Sequence, residues 1–330
     1  MTPDIAVLVN LRARRASEAV ASACRREIPG ATVLASRSLE EGLAFARSLD
    51  EPDLVVSAGG DGTAVALINA LRGTAAARAT IGCLRLGTGN GWARDTGAPE
   101  WKSAIRRLGA WRGELPRKRF DLVEVDGSIG HYAGTGWDAE IIDDFHAQQS
   151  GAGVLPHNLR KGLAGYLQAL TTRTIPRHVL GRGERVEVEL TNTGEDAIGI
   201  DDAGEPIDLP HGRHGAVLYR GPISVCAAGT THQWGFEFRA FPFAGLVPRR
   251  FCMRAYTGTA LQAVRVSRDL WVGRHPIPRM HTWMLTRCRA VFSRPVPFQL
   301  GGDRIGQKTE VEYRLAQEQV DLLDWRHLVS

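Results

Sequence analysis

Seven consecutive residues, Ser57-Ala-Gly-Gly-Asp-Gly-Thr63, concentrate groups that can handle phosphate. An apolar run (Leu54, Val55, Val56) precedes them and Ala64-Val-Ala-Leu-Ile-Asn-Ala-Leu71 follows in a helical pattern, which places the stretch at a strand-to-helix turn. Gly59, Gly60 and Gly62 open backbone conformations closed to other residues and let a ligand approach closely. The free N–H groups that start a helix, at the positive end of its dipole, form a site for phosphate. Asp61 would oppose a bare anion, so its presence implies a divalent metal or a transferable proton beside that phosphate. Taken alone, the stretch reads equally well as a structural glycine turn with a capping aspartate.

A second stretch changes that balance. Ile81-Gly-Cys-Leu-Arg-Leu86 has the pattern of a buried strand and runs into Gly87-Thr-Gly-Asn-Gly91, then Trp92-Ala-Arg94. Two glycine turns, each following a strand, can face each other across one crevice, because open α/β sheets bind ligands at the carboxyl ends of their strands. Gly87, Thr88, Gly89 and Asn90 therefore join the first turn as candidate nucleotide-site residues.

The elements needed to hold these turns follow from the same patterns. Ile5–Val9, Ala31–Ala35 and the runs at about 53–57 and 80–86 alternate with amphipathic stretches at Ala16–Glu27 and about 39–49, as in a parallel sheet covered by helices. Asn10 closes the first strand, and Ser38 with Glu41 three residues on forms a capping box before the second helix. A further helix spans 101–111, and Gly113-Glu-Leu-Pro-Arg-Lys-Arg119 is a charged connector. From Phe120 onward the pattern changes to short alternating runs (120–125, 130–133, 185–190, 215–219, 224–227, 236–239 and 250–254) punctuated by Gly and Pro, which predicts an antiparallel sandwich or barrel. One helix is expected near 159–170 and a polar, mobile loop at about 192–213. The expected organisation is an α/β domain over 1–117, a larger β-rich domain over 118–308, and a final stretch, 309–330, that returns to the first domain.

A 330-residue chain has room for two cores. Its apolar content, 43%, and charged content, 23%, are ordinary, and a net charge of +5 fits either anionic surfaces or a solvated basic exterior. The five cysteines are scattered, with no Cys-x-x-Cys pair, so neither a disulfide framework nor a zinc site is indicated. No apolar run approaches the ~18 residues of a membrane-spanning helix, and the first ten residues lack the basic flank of a signal peptide. A cytoplasmic protein that visits the membrane surface is the expectation.

Gly-Gly-Asp-Gly-Thr (59–63) followed by Leu-Gly-Thr-Gly-Asn (86–90) closely resembles the diacylglycerol kinase catalytic-domain family, which includes diacylglycerol, sphingosine and ceramide kinases and is distantly related to NAD kinases. The resemblance implies an N-terminal parallel α/β nucleotide-binding domain with a larger antiparallel β-sandwich domain, and an ATP- and Mg²⁺-dependent transfer of the γ-phosphate to a lipid hydroxyl. ATP would be held by Gly59, Gly60, Asp61, Gly62, Thr63, Gly87, Thr88, Gly89 and Asn90, with Asn10 and Ser38 at the edge. Asp61 would stand near the ATP-bound Mg²⁺. Pro297-Phe-Gln-Leu-Gly-Gly-Asp-Arg-Ile-Gly306 resembles the family's Leu-Asp-Gly-Glu turn, which puts Asp303 on the glutamate that acts as general base and Gly301 on the aspartate before it.

Four departures stand beside the resemblance. Leu11-Arg-Ala-Arg14 replaces the Pro-x-Ser-Gly that usually follows the first asparagine, and Asn90-Gly91 replaces Asn-Asp. Gly301-Gly302-Asp303 replaces Asp-Gly-Glu, and Phe241–Arg250 has no acid where some members bind a structural metal. Asp138, in Tyr132–Glu140, matches a signature that borders the family's cleft. Trp234, Phe236, Phe238, Phe241 and Phe243 read either as an acyl groove or as the inner face of a strand. The expected partner is a lipid at the membrane surface, with no nucleic acid. A homodimer, the identity of the lipid, a non-catalytic binding role and phosphorylation of a soluble nucleotide in the manner of an NAD kinase all remain open at this point.

Overall fold

The computed structural model of the chain describes residues 2–137, 139–140, 144, 168, 172, 176, 185–234 and 238–328. Asp138, Phe236 and the helix expected over 159–170 (Gln168 apart) lie outside the described residues. Contacts divide the chain into one unit of Met1–Phe120 with Glu318–Ser330 and a second of Asp121–Gln317.

The first unit alternates strand and helix: β1 (Ile5–Asn10), α1 (Glu18–Glu27), β2 (Thr32–Ser36), α2 (Leu39–Arg47), β3 (Leu54–Ala58), α3 (Asp61–Leu71), β4 (Thr80–Cys83), α4 (Gly91–Asp95), α5 (Trp101–Ala110) and β5 (Arg117–Phe120). Val7, Val9, Leu54 and Val55 are fully buried, as a parallel sheet covered on both faces requires. β1 pairs in parallel with β2 and β3, and β3 with β4. Their carboxyl ends therefore emerge on one edge, and both glycine turns leave from that edge.

Four residues from the far end of the chain complete this sheet. Val320–Leu323 lies between β4 and β5, parallel to the former and antiparallel to the latter, in the order β2-β1-β3-β4-(320–323)-β5. The return begins at Glu318, whereas residues 309–315 stay in the second unit. The covering helices dock tightly. A Cβ placed on Gly109 of α5 would lie 1.7 Å from the Glu27 carbonyl oxygen at the end of α1, so the helices meet backbone to side-chain position.

The second unit is a twelve-stranded antiparallel sheet among the described residues. In chain order it contains β6 (Val123–Val125), β7 (Ser128–Gly130), β8 (Tyr132–Gly136), β9 (Val186–Asn192), β10 (Ile198–Ile200), β11 (Pro206–Asp208), β12 (Val217–Ile223), β13 (Val225–Gly229), β14 (Phe251–Tyr256), helices α6 (Ala260–Arg265) and α7 (Ser267–Val272), β15 (Met280–Leu285), β16 (Arg287–Leu300) and β17 (Asp303–Leu315). Val320–Leu323 is then β18. Alternate residues of β14 serve opposite faces: Phe251, Met253 and Ala255 join a large apolar cluster with Phe298 and Tyr313, while Cys252 joins a smaller one with Tyr132 and Phe241. Trp234, Phe238 and Phe243 pack against that smaller cluster, with Trp234 stacked on Phe238 at 5.9 Å between ring centres.

β16 acts as the spine, pairing with β17 along one edge and with β8 and β9 along the other. Arg287–Glu312 (2.5 Å) and Arg289–Glu310 (2.7 Å) tie this long hairpin across its strands. Here the structure departs from the expectation of a mobile loop at 192–213. That stretch contains the β10–β11 hairpin, and the fully buried Asn192 donates from Nδ2 to the carbonyls of Glu195 (2.8 Å) and Gly212 (2.7 Å). A polar composition marks this segment because a side-chain amide, in place of an apolar side chain, anchors it.

Two outcomes follow. Gly109→Ala forces α5 off α1 and is expected to destabilise the protein by about 3 kcal/mol, seen as a lowered midpoint in thermal melting. Hydrogen bonds from Arg287, then Arg314 and Thr193, hold the Glu312 carboxyl down to about 2 from its ordinary 4.5. Its stabilising effect is therefore full above pH 4.5 and disappears as pH falls toward 2. Glu312→Gln should cost about 1 kcal/mol at neutral pH, allowing for solvent screening, and match the wild type near pH 2 in a urea-unfolding series.

Candidate nucleotide site

The two glycine turns are in direct backbone contact. A Cβ on Gly87 would lie 2.2 Å from the Gly60 Cα, and one on Gly60 would lie 3.1 Å from the Gly87 Cα. A side chain at Gly87 would overlap the Gly60 backbone outright, and one at Gly60 would have to push the Gly87 backbone away by a few tenths of an ångström. Gly59 is constrained from within its own turn, since a Cβ there would lie 2.5 Å from Thr63 Oγ1.

Asp61 joins the turns. Its Oδ2 accepts from the Gly91 N–H (3.0 Å) and its Oδ1 from the Trp92 N–H (3.2 Å), so this residue of the first turn of α3 closes the N-terminus of α4. Asn90 performs the matching task inside the second turn. It takes a left-handed conformation (φ 58°, ψ 38°), its Oδ1 accepts from the Gly87 N–H (2.8 Å), and its Nδ2 donates to the Gly87 carbonyl (2.9 Å). Asn90 is buried, and both ends of its amide serve the loop, so its clear task is to shape the turn. Thr88 and Gly89 lie half-buried between these fixed points.

The α3 N-terminus is different. Gly60 is its N-cap and carries no side-chain capping bond, so the first N–H groups of this helix are not closed by any described side chain. Gly62 and Thr63 sit in that half-buried first turn. Asn10, at the end of β1, donates from Nδ2 to Thr63 Oγ1 (2.9 Å) and accepts the Arg12 N–H on Oδ1 (3.0 Å). Asn10 thus fixes the Thr63 hydroxyl with its proton available to a ligand. Ser38 caps α2 through the Glu41 N–H (3.1 Å), whereas the Glu41 carboxylate accepts from Arg37 N–H (2.7 Å), so the reciprocal half of the expected capping box is displaced by one residue. Because Asn10 is in register with Ser36, Ser38 stands at the same rim.

Arginines surround these turns. The loop after β1 lies against the second turn, with the Arg15 N–H donating to the Leu86 carbonyl (3.1 Å). It places Arg12, Arg14 and Arg15 as exposed residues beside the crossing. Arg94 of α4 is held below the usual guanidinium range by burial and by the charge of Arg85, with Asp61 opposing. Burial, reinforced by Asp61, pushes the Cys83 thiol far up and keeps it inert. The visible signal was the run Leu11-Arg-Ala-Arg-Arg15 itself, which supplies cations next to a phosphate-type turn.

The described residues contain no group of three or more His, Cys, Asp or Glu side chains that could hold a metal ion. Asp61 uses both oxygens on the α4 N–H groups. The described residues therefore do not build a magnesium site of their own. Asp303 is in the second unit, exposed, at the start of β17. The two residues before it, Gly301 and Gly302, have φ of 60° and 91° and form the tight turn between β16 and β17. Left-handed backbone at both positions favours glycine strongly, which is a physical reason for Gly301 where the resemblance suggested an acid.

Paired strand ends, two interlocked glycine turns and an open helix N-terminus thus meet at one edge of the first unit's sheet. Residues 5–117, which lie in the first unit, match the family model of the diacylglycerol kinase catalytic domain. A crystal structure of a diacylglycerol kinase from Bacillus anthracis str. Sterne superposes with a TM-score of 0.63 at 12% identity, covering 97% of this chain and 96% of the other. A second chain from the same organism, provisionally assigned as a diacylglycerol kinase, gives 0.67 at 14% identity and covers 99% of both chains. At such identities the likeness is one of fold, and it extends through both units. No curated protein matches the sequence.

Gly87→Ala drives a methyl group into the Gly60 backbone and must separate the turns. The expected outcome is a folded protein whose affinity for ATP falls at least ~10-fold by titration calorimetry, since the phosphate-facing N–H groups no longer converge.

Proposed function

We propose that this protein is an ATP-dependent lipid kinase that transfers the γ-phosphate of ATP to the hydroxyl of a lipid such as diacylglycerol, a sphingoid base or ceramide. The observation that carries the proposal is the open N-terminus of α3 beside a glycine turn locked to it backbone to backbone, within a stretch that matches the diacylglycerol kinase catalytic domain. In this reading the N–H groups of Gly62 and Thr63 and the Thr63 hydroxyl bind the phosphate chain. Asp61 and Asn90 keep the two turns in register, and Ser38 borders the nucleotide. Phosphoryl transfer asks mainly for positioning and neutralisation of charge on the moving phosphoryl group. The exposed arginines of the β1 loop support that role by their charge.

The acceptor hydroxyl must lose a proton as its oxygen bonds to phosphorus and the bond to the ADP oxygen breaks. Asp303 is the carboxylate assigned to receive it. An aspartate is one methylene shorter than the glutamate that the resemblance places here, and the rigid glycine turn before it fixes where its backbone starts. A lipid acceptor also requires contact with a membrane surface.

The test incubates the purified protein with γ-labelled ATP, Mg²⁺ and a panel of lipid alcohols in mixed micelles, beside Asp303→Asn. Label should pass to the organic phase, and Asp303→Asn should lower kcat ~100-fold or more with little change in KM for ATP. Label confined to a water-soluble product would reject the lipid acceptor. Full activity in Asp303→Asn would move the base elsewhere.

A further inference from the structure

β14 and β15 are adjacent antiparallel strands paired to their ends, Tyr256 with Met280, yet residues 257–279 connect them. Hairpin connections usually take only about 2–5 residues. This one is closed at its base, where the Thr257 N–H (2.9 Å) and Oγ1 (3.1 Å) both donate to the Arg279 carbonyl. Inside it are α6, opened by a complete capping box between Thr259 and Gln262, and α7. The segment is thus a built projection from the second unit.

What it projects is apolar. Leu261 (52% exposed), Val264 (46%), Trp271 (36%) and Val272 (49%) are four of the ten large apolar side chains exposed among the described residues, and they fall within a run of twelve. Leu261 and Val264 are spaced to share one side of α6. Trp271 meets Phe238 at a tilt, 5.7 Å between ring centres, and its backbone carbonyl accepts the Arg239 N–H (3.0 Å), so it is held in place while partly exposed. Exposed arginines surround these residues: Arg265, Arg268, Arg274 and Arg279. The one acid in the run, Asp269, is paired with Arg274 at 2.8 Å, and Arg265 and Arg268 have no ion-pair partner among the described residues.

We propose that the 257–279 projection is a docking surface for an anionic lipid bilayer, with Leu261, Val264, Trp271 and Val272 entering the interface and Arg265 and Arg268 meeting the lipid phosphates. Apolar residues with a tryptophan beside unpaired cations are the composition of an interfacial helix. A second copy of the chain is a poorer occupant, because a two-fold contact would bring the same arginines together. The inference goes beyond the kinase reading and does not depend on it.

The protein is sedimented with phosphatidylcholine vesicles, with and without phosphatidylglycerol, at low and high salt, beside Leu261→Asp/Val264→Asp and Arg265→Glu/Arg268→Glu. Activity on a short-chain, water-soluble diacylglycerol and thermal melting are measured in parallel. The wild type should bind the anionic vesicles, more weakly at high salt, and each double variant should lose at least ~10-fold in partition with unchanged melting. Vesicle binding equal to that of the wild type in both variants overturns the proposal, as does equal binding to uncharged vesicles. A dimer that Leu261→Asp/Val264→Asp dissociates, without vesicle binding, would reassign the surface to self-association. Absence of kinase activity beside intact, variant-sensitive vesicle binding would reject the lipid-kinase reading and leave the docking surface standing.

Discussion

The crossing of Gly60 and Gly87 is the constraint on which the first unit depends. Two loops cannot touch backbone to backbone unless both positions lack a side chain, and they stay together only if something pulls across the contact. Asp61 supplies that pull with both carboxylate oxygens on the start of α4. The parallel pairing of β1, β3 and β4 brings the loops to one edge, and Asn90 holds the second loop in the left-handed turn that lets it pass. A helix N-terminus with open N–H groups is thereby held beside the locked turns, the pre-organised setting that the proposed phosphate site needs.

The second unit solves a different problem, which is to carry side chains on both faces of a wide sheet. β16 does so by pairing on both edges over 14 residues, with the ion pairs of β16 and β17 on the hairpin and apolar clusters on the faces. The aromatic residues around 234–243 belong to this scheme. Phe241 is 1% exposed inside the smaller cluster, and Trp234 and Phe238 pack against that cluster.

Much of the first unit was legible because its signals are local. Period-2 apolar runs, amphipathic helices and Gly-rich turns each declare themselves within about ten residues. The pairing of the two glycine turns was also legible, since both follow strands of one parallel sheet. The tasks of the side chains were less so. Nothing in Asp61 or Asn90 as residue types says that they bond to a distant helix start and to a residue three positions back, because those partners exist only once the turns have met. The same holds for Asn192, whose amide turns an apparently loose polar stretch into an anchored hairpin. The long β16–β17 pair escaped notice because Arg, Ser and Pro interrupt its alternation (Phe292-Ser-Arg-Pro-Val-Pro297), and the register there shifts at a bulge. The cationic loop after β1 and the helices between β14 and β15 were visible as composition, but their meaning depends on what stands beside them.

The placement of β18 also bears on how the protein is made. The strands of the first sheet are synthesised early, yet the position between β4 and β5 is filled by residues 320–323, which leave the ribosome about two hundred residues after β5. Until then, Ile81 of β4 and the antiparallel partner edge of β5 lack their neighbour. The first unit can therefore reach its final form only after the whole β-rich unit has been translated. Its unpaired edges through that interval are where a nascent chain would need protection from pairing with the wrong strand.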